Sequence, residues 1–264
     1  MKLKLYQVDA FSDKVFGGNY AGVVILDAWL SDALMQSIAT ENNVSETAFA
    51  KRVNENTYEI RWFSPMSEIA FCGHATLASA YVIFRFESTL KEKITFVTKT
   101  VGDLKVSKVE NDYIQMVFPN RKPKEIAVIP SEIMGGLSIV PKEVMLNQQA
   151  YFAIYDNEED VYNVRPNLEE LKKLAPYDVV VTAPSSTYDF VSRYFWPANG
   201  GVEDPVTGSI HAGLAPFWAQ RLGKEKLSAY QASSRGGMLK CTVLDEHVMV
   251  SGQAVLYLQG EIEV

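Results

Sequence analysis

Three acidic or basic side chains in this sequence sit where proton chemistry could be done. The first is Glu46, in "NNVSETAFA". Read as a strand, the stretch puts Val44, Glu46 and Ala48 on one face and Ser45, Thr47 and Phe49 on the other. A glutamate on a polar face is simply solvated. One that shares a face with apolar neighbours is expected to point inward, where desolvation raises a carboxyl pKa towards neutrality. A carboxyl poised there suits a proton shuttle. The second is His74, which follows Gly73 in "FCGHATLASA". A histidine on the first turn of a buried helix is commonly a satisfied structural group. The helix terminus also favours the neutral ring, which donates one hydrogen bond without carrying charge. The third is Asp204, ahead of Gly208 in "GGVEDPVTGSIHAG". Alone it reads as a loop acid or a cap. Beside an anion site it would orient substrate or handle a proton, with Glu203 as the solvated member of the pair. His211 reads as structural and His247 as an exposed turn residue.

These residues need elements to hold them. Strands are expected at 2–8, 21–26, 45–50, 58–63, 93–98 and 112–118, and again at 143–154, 178–183, 188–195, 239–244, 247–252 and 255–262. A helix is expected at 31–41, capped by Ser31 or Asp32, with Leu34, Met35 and Ile38 as its apolar stripe. Another starts at Leu168 behind Asn167. The helix from Gly73 to about Arg85 is apolar nearly all round, so it should be buried on every side. The apolar helix from Gly208 towards Leu222 contains Pro216, which predicts a kink or a break.

Arg61-Trp62-Phe63-Ser64-Pro65 and Arg193-Tyr194-Phe195-Trp196-Pro197 lie half a chain length apart, each followed by a glycine turn and an apolar run. The repeat predicts an α+β fold of two pseudo-symmetric domains, each a curved, mostly antiparallel sheet wrapped around a central buried helix. The proline-rich stretch 119–130 divides them, giving halves 1–118 and 119–264, with the C-terminal strand able to pack on the first half. A glycine alone permits a tight strand-to-helix turn. Two matched glycines, Gly73 and Gly208, point further, to a cleft where both helix starts meet. Their first-turn N–H groups would cradle a small anion.

Composition narrows the function classes. The chain has 264 residues, 47% of them hydrophobic, and a formal net charge of −7. Basic residues are scattered, so no nucleic-acid face is expected. No apolar run approaches a membrane span, and the N-terminus lacks a signal-peptide pattern. Two cysteines make no disulfide framework at this size, and three histidines without metal-ligand spacing predict no metal site. The expectation is a cytoplasmic protein that handles a small-molecule carboxylate.

"VDAFSDKVFGGNYAGVVIL", "SETAF", "FCGHATLASA" and "GGVEDPVTGSIHAGLAPFWA" resemble, in order and spacing, the PhzF-like phenazine biosynthesis family. The resemblance covers nearly the whole chain. It implies a diaminopimelate epimerase-like fold and a homodimer. It also implies a cofactor-independent isomerase that moves a proton within a cyclic dihydro-hydroxy acid, of which trans-2,3-dihydro-3-hydroxyanthranilate is the best-known example. By that likeness Glu46 carries the proton, and His74 and Asp204 hold polar groups of the substrate. Gly73, Gly208 and Ser209 bind its carboxylate. One rival is a two-thiol epimerase, for which Cys72 stands in place but no cysteine stands near Val206 and Thr207. Another is a non-catalytic module that binds a small acid.

Overall fold

The computed structural model describes residues 1–87 and 92–264. Its contacts divide the chain into two compact units. One holds Met1–Val117 with Ser251–Val264, and the other holds Phe118–Val250. The second half therefore ends before residue 264.

The first unit contains β1 (Lys2–Ala10), β2 (Asn19–Leu26), α1 (Asp32–Asn42), β3 (Glu46–Arg52), β4 (Thr57–Phe63), β5 (Glu68–Ile69), α2 (Gly73–Val82), β6 (Lys93–Val97), β7 (Leu104–Lys108) and β8 (Ile114–Pro119). β1 pairs antiparallel with β2, which lies parallel to β3. β3 is antiparallel to β4, which carries the short β5 antiparallel and β6 parallel. β6, β7 and β8 follow as antiparallel neighbours. Ser31 caps α1, its hydroxyl accepting from the Leu34 amide. Every residue of α2 except Tyr81 is buried, as its nearly all-round apolar character predicts. Its two buried hydroxyls are satisfied locally, Thr76 donating to the Cys72 carbonyl and Ser79 to that of Ala75. The helical path continues beyond α2 as a π-helical turn, Ile83–Glu87.

The second unit contains β9 (Lys124–Glu125), α3 (Ser131–Gly136), β10 (Glu143–Leu146), β11 (Ala150–Ile154), α4 (Glu158–Asn163), α5 (Leu168–Lys172), β12 (Asp178–Pro184), β13 (Phe190–Phe195), β14 (Glu203–Asp204), α6 (His211–Leu222), β15 (Lys226–Gln231) and β16 (Gly237–Val243). β17 (His247–Gly252) and β18 (Ala254–Glu263) close the chain. The pairing repeats that of the first unit. β11 is parallel to β12, β12 antiparallel to β13, and β13 carries the short β14 antiparallel and β15 parallel. β18 pairs antiparallel with β1 from Ala254 to Glu263, which is why the C-terminus belongs to the first unit.

Several local expectations change. The single strand expected at 143–154 is two, β10 and β11, because Asn147 folds the chain back. Its Oδ1 accepts from the amides of Gln149 and Ala150. The stretch read as a linker carries β9, which pairs with β10. β7 and β15 are strands the hydropathy pattern does not mark. α6 runs through Pro216 without a break. The Ala212 carbonyl, which a residue 216 amide would ordinarily satisfy, accepts instead from the Arg121 amide at 3.0 Å, so the missing donor leaves no orphan.

Candidate functional site

In the first unit the parallel register sets Ala21 opposite Glu46. Asn19, two residues earlier on β2, therefore shares the face of Glu46. The turn before it is held open by Gly18, at φ +63°, where an added Cβ would lie 2.1 Å from the Ala10 carbonyl oxygen. Asp9 braces the same turn, accepting from the Phe16 amide at 2.8 Å. α2 then starts beneath this face and brings Cys72 and His74 to Glu46.

All of these side chains are buried: Glu46 is 8% exposed, Cys72 6%, His74 5% and Asn19 0%. His74 Nε2 lies 2.9 Å from Glu46 Oε2. On the ring's other side, Asn19 Nδ2 lies 3.0 Å from Nδ1. Asn19 Oδ1 accepts from the Ser45 hydroxyl at 3.2 Å, and in this orientation the amide nitrogen faces the ring. Nδ1 is thus an acceptor, and the ring proton sits on Nε2 and donates to Glu46. Cys72 Sγ is 3.6 Å from Glu46 Oε2 and 3.4 Å from His74 Nδ1. Glu46 is turned inward, as its apolar face predicts, and the contact with His74 is one the sequence does not mark. Asn19 has no signal in the sequence, because only the β2–β3 register places it.

Glu46, Cys72 and His74 offer one carboxylate oxygen, one thiol and one ring nitrogen within 4.8 Å of one another, a donor set that a thiophilic divalent cation could use. The outer partner argues against it. A metal-bound imidazole donates its second N–H outward, whereas here Asn19 donates inward and leaves Nε2 protonated.

In the second unit the site residues gather at the entry to α6. Asp204 lies on β14 opposite Tyr194. Its Oδ2 accepts from the Thr207 hydroxyl. Gln231, fully buried on β15, clamps the turn: it donates to the Asp204 carbonyl at 2.7 Å and accepts from the Thr207 amide at 2.9 Å. Gly208, Ser209 and Ile210 form the first turn, with their carbonyls accepting from His211, Ala212 and Gly213 at 3.2, 3.1 and 2.9 Å. The α-helix itself starts at His211, three residues after the expected glycine. The turn leaves the Gly208 and Ser209 amides at the helix's positive end. Ser209 Oγ accepts from Gln149 Nε2 at 3.0 Å. His211 is structural: Nδ1 donates to the Thr207 carbonyl at 2.9 Å, and burial pushes its pKa down to about 4.

Glu203 is not the solvated neighbour it was expected to be. Arg193 holds it through two contacts of 2.8 and 2.9 Å. The first unit repeats the clasp, with Arg61 gripping Glu68 at 2.7 and 2.6 Å. Glu68 and Glu203 occupy the same place in the two copies, facing Phe63 and Phe195 across the short strand. Cys241 is buried on β16, and desolvation pushes its thiol up to about 12.

Comparison with known proteins follows the same lines. The family model described as "Phenazine biosynthesis-like protein" matches residues 8–260. An uncharacterized isomerase of Pseudomonas aeruginosa is 45% identical over the full length of both chains. A crystal structure of a PhzF-family phenazine biosynthesis protein from Enterococcus faecalis superimposes with a TM-score of 0.95 at 43% identity, again over both whole chains. At 10% identity, a probable proline racemase from Agrobacterium radiobacter shares the fold, with a TM-score of 0.65 over 99% of this chain and 92% of that one.

Proposed function

We propose, from the premise that this chain belongs to the phenazine biosynthesis-like family, that it is an isomerase moving a proton within a small cyclic carboxylic acid. The observation that carries the reading is the buried Glu46 carboxylate, 2.9 Å from His74 at the start of α2. An isomerisation changes neither atom count nor oxidation state, so one base that returns the proton it takes can complete it. Glu46 removes a proton from one ring carbon and delivers it to another on the same face. The His74 N–H holds the carboxylate in position and, as charge shifts, is available to a polar group of the substrate. Asp204, fixed by Thr207 and by the Gln231 clamp, takes a second polar group. The amides at Gly73, Gly208 and Ser209, with the Ser209 hydroxyl, hold the substrate carboxylate at positive helix ends.

The two-thiol epimerase is the weaker alternative. Cys72 is placed for it, but Cys241 is buried with its thiol held protonated. The reading includes a homodimer in the cytoplasm, which sedimentation of the purified protein and fractionation of cells can check.

In deuterated water, the wild-type protein should place solvent deuterium in the isomerised product of a cyclic dihydro-hydroxy amino acid, because the proton held on Glu46 exchanges with solvent before it is delivered. Glu46→Gln should lower the incorporation rate by on the order of a thousandfold. Undiminished labelling by that variant would remove Glu46 from the mechanism. Cys72→Ser should retain incorporation within about tenfold; a loss as deep as that of Glu46→Gln would favour the thiol.

A further inference from the structure

A chain of buried and half-buried hydrogen bonds runs from the core of the second unit to Ser209. Asp178, at the start of β12, is 8% exposed, and its hydrogen-bond partners are neutral side chains. Its Oδ2 accepts from the Tyr194 hydroxyl at 2.7 Å, and its Oδ1 from Asn199 Nδ2 at 2.8 Å. Tyr194, 4% exposed, thereby commits its only proton to Asp178. The group of Gln149 that faces the Tyr194 oxygen at 3.1 Å must then be a donor, so it is the amide nitrogen. That same nitrogen faces Ser209 Oγ at 3.0 Å. Ser209 is therefore the acceptor in this contact, and its own O–H is released to point elsewhere. The backbone backs the arrangement: Asn147 holds the turn on which Gln149 stands, and also donates to the Arg121 carbonyl at 2.9 Å. Burial pushes the Asp178 carboxyl above its ordinary range; while it is ionised each link runs in one direction of donation, and the polarity set there is passed to Ser209.

We propose that Gln149 is a positioning residue that turns the Ser209 hydroxyl into a hydrogen-bond donor for a ligand carboxylate, with Tyr194 and Asp178 fixing the direction of the Gln149 amide. The inference rests on the reading of Ser209 given above and adds to it the residues that determine selectivity for an anion. A serine hydroxyl can donate or accept with equal ease. One that donated to solvent or to its own backbone would offer an anionic ligand only lone pairs. With Gln149 occupying the acceptor side, the remaining proton favours an oxyanion over a neutral or donor group, as the turn amides beside it do.

The test compares two probes that differ by the carboxylate alone: 3-hydroxyanthranilate and its decarboxylated form, 2-aminophenol. Titration calorimetry on the full chain gives the ratio of their affinities. Wild type should favour the acid. Gln149→Met removes the amide at similar size and should lower that ratio roughly tenfold, acting on the acid and sparing the aminophenol. Gln149→Glu reverses the polarity, draws the Ser209 proton inward and should lower the ratio further. Tyr194→Phe should move it in the same direction by less. Variants that weaken both probes equally have lost structure rather than direction, and that result, like a wild-type protein that does not distinguish the probes, overturns the proposal. If Gln149→Met fails to fold, the Gln149→Glu and Tyr194→Phe ratios decide it. Deuterium labelling at Glu46 is read separately. Labelling without a carboxylate preference sinks this inference alone, and a preference without labelling sinks the isomerase reading alone.

Discussion

At the residue scale, burial decides what each titratable group does. Glu46 and His74 are buried as a hydrogen-bonded pair, so neither is desolvated without a partner. His211 is buried as a neutral ring with only Nδ1 engaged; Nε2 has no partner among the described residues. Its pKa is pushed from 6.5 down to about 4. Between those values the unfolded chain binds a proton that the folded one refuses, so stability rises with pH there and is fully present above 6.5. As pH falls from 6.5 to 4, this group should remove about 3 kcal/mol of stability. His211→Asn retains a donor for the Thr207 carbonyl and does not titrate. Urea unfolding at pH 7 and pH 4.5 should show wild type losing about 2–3 kcal/mol more than the variant. Parallel losses would mean that His211 is not the group responsible.

At the element scale, the duplicated arginine clasp explains how two very short strands stay in place. β5 and β14 have two residues each, too few for ladder bonds alone to hold them. Arg61 and Arg193 tie them to β4 and β13 through paired contacts with Glu68 and Glu203. Arg193 also donates to the Val161 and Val164 carbonyls, at 3.2 and 2.8 Å, locking the end of α4 to the same point. Since Asp204 follows Glu203 directly, the clasp positions a proposed site residue. Arg193→Met should cost about 3 kcal/mol, because it leaves a largely buried carboxylate and two carbonyls without their donor. Adding Glu203→Gln should restore part of that loss in a double-mutant cycle read by chemical denaturation. Additive losses would show that the pair is not coupled.

At the scale of the whole molecule, the two ends of the chain meet in one sheet. β18 covers the outer edge of β1 along its length, and the Val264 amide donates to the Met1 carbonyl at 2.9 Å. Tyr6, Val8 and Ala10 on β1 are buried. A chain stopped after Val250 would keep the whole second unit but leave β1 as an open edge beside that apolar surface. It should lose cooperative thermal unfolding of the first unit and aggregate. A soluble truncated protein with an unchanged melting curve would show that β18 is dispensable. Among the described residues no helix is long and apolar enough to cross a membrane.

Local chemistry was legible in the chain itself. Runs rich in Val, Ile, Tyr and Phe marked β1 to β4, a nearly all-round apolar helix marked α2 as buried, Ser31 and Asn167 marked helix starts, and the repeated Arg-aromatic-Phe phrase marked the duplication. The inward turn of Glu46 followed from its apolar neighbours. These features depend on residues a few positions apart, whose side-chain directions are set by helix and strand periods. Tertiary structure decided what lies across the register: that Asn19 meets His74, that Glu203 faces Arg193, that the Arg121 amide supplies the Ala212 carbonyl, and that Gln149 reaches Ser209. A hydrogen bond between residues far apart in sequence leaves no periodic trace in either segment, because its geometry exists only once both backbones are in place.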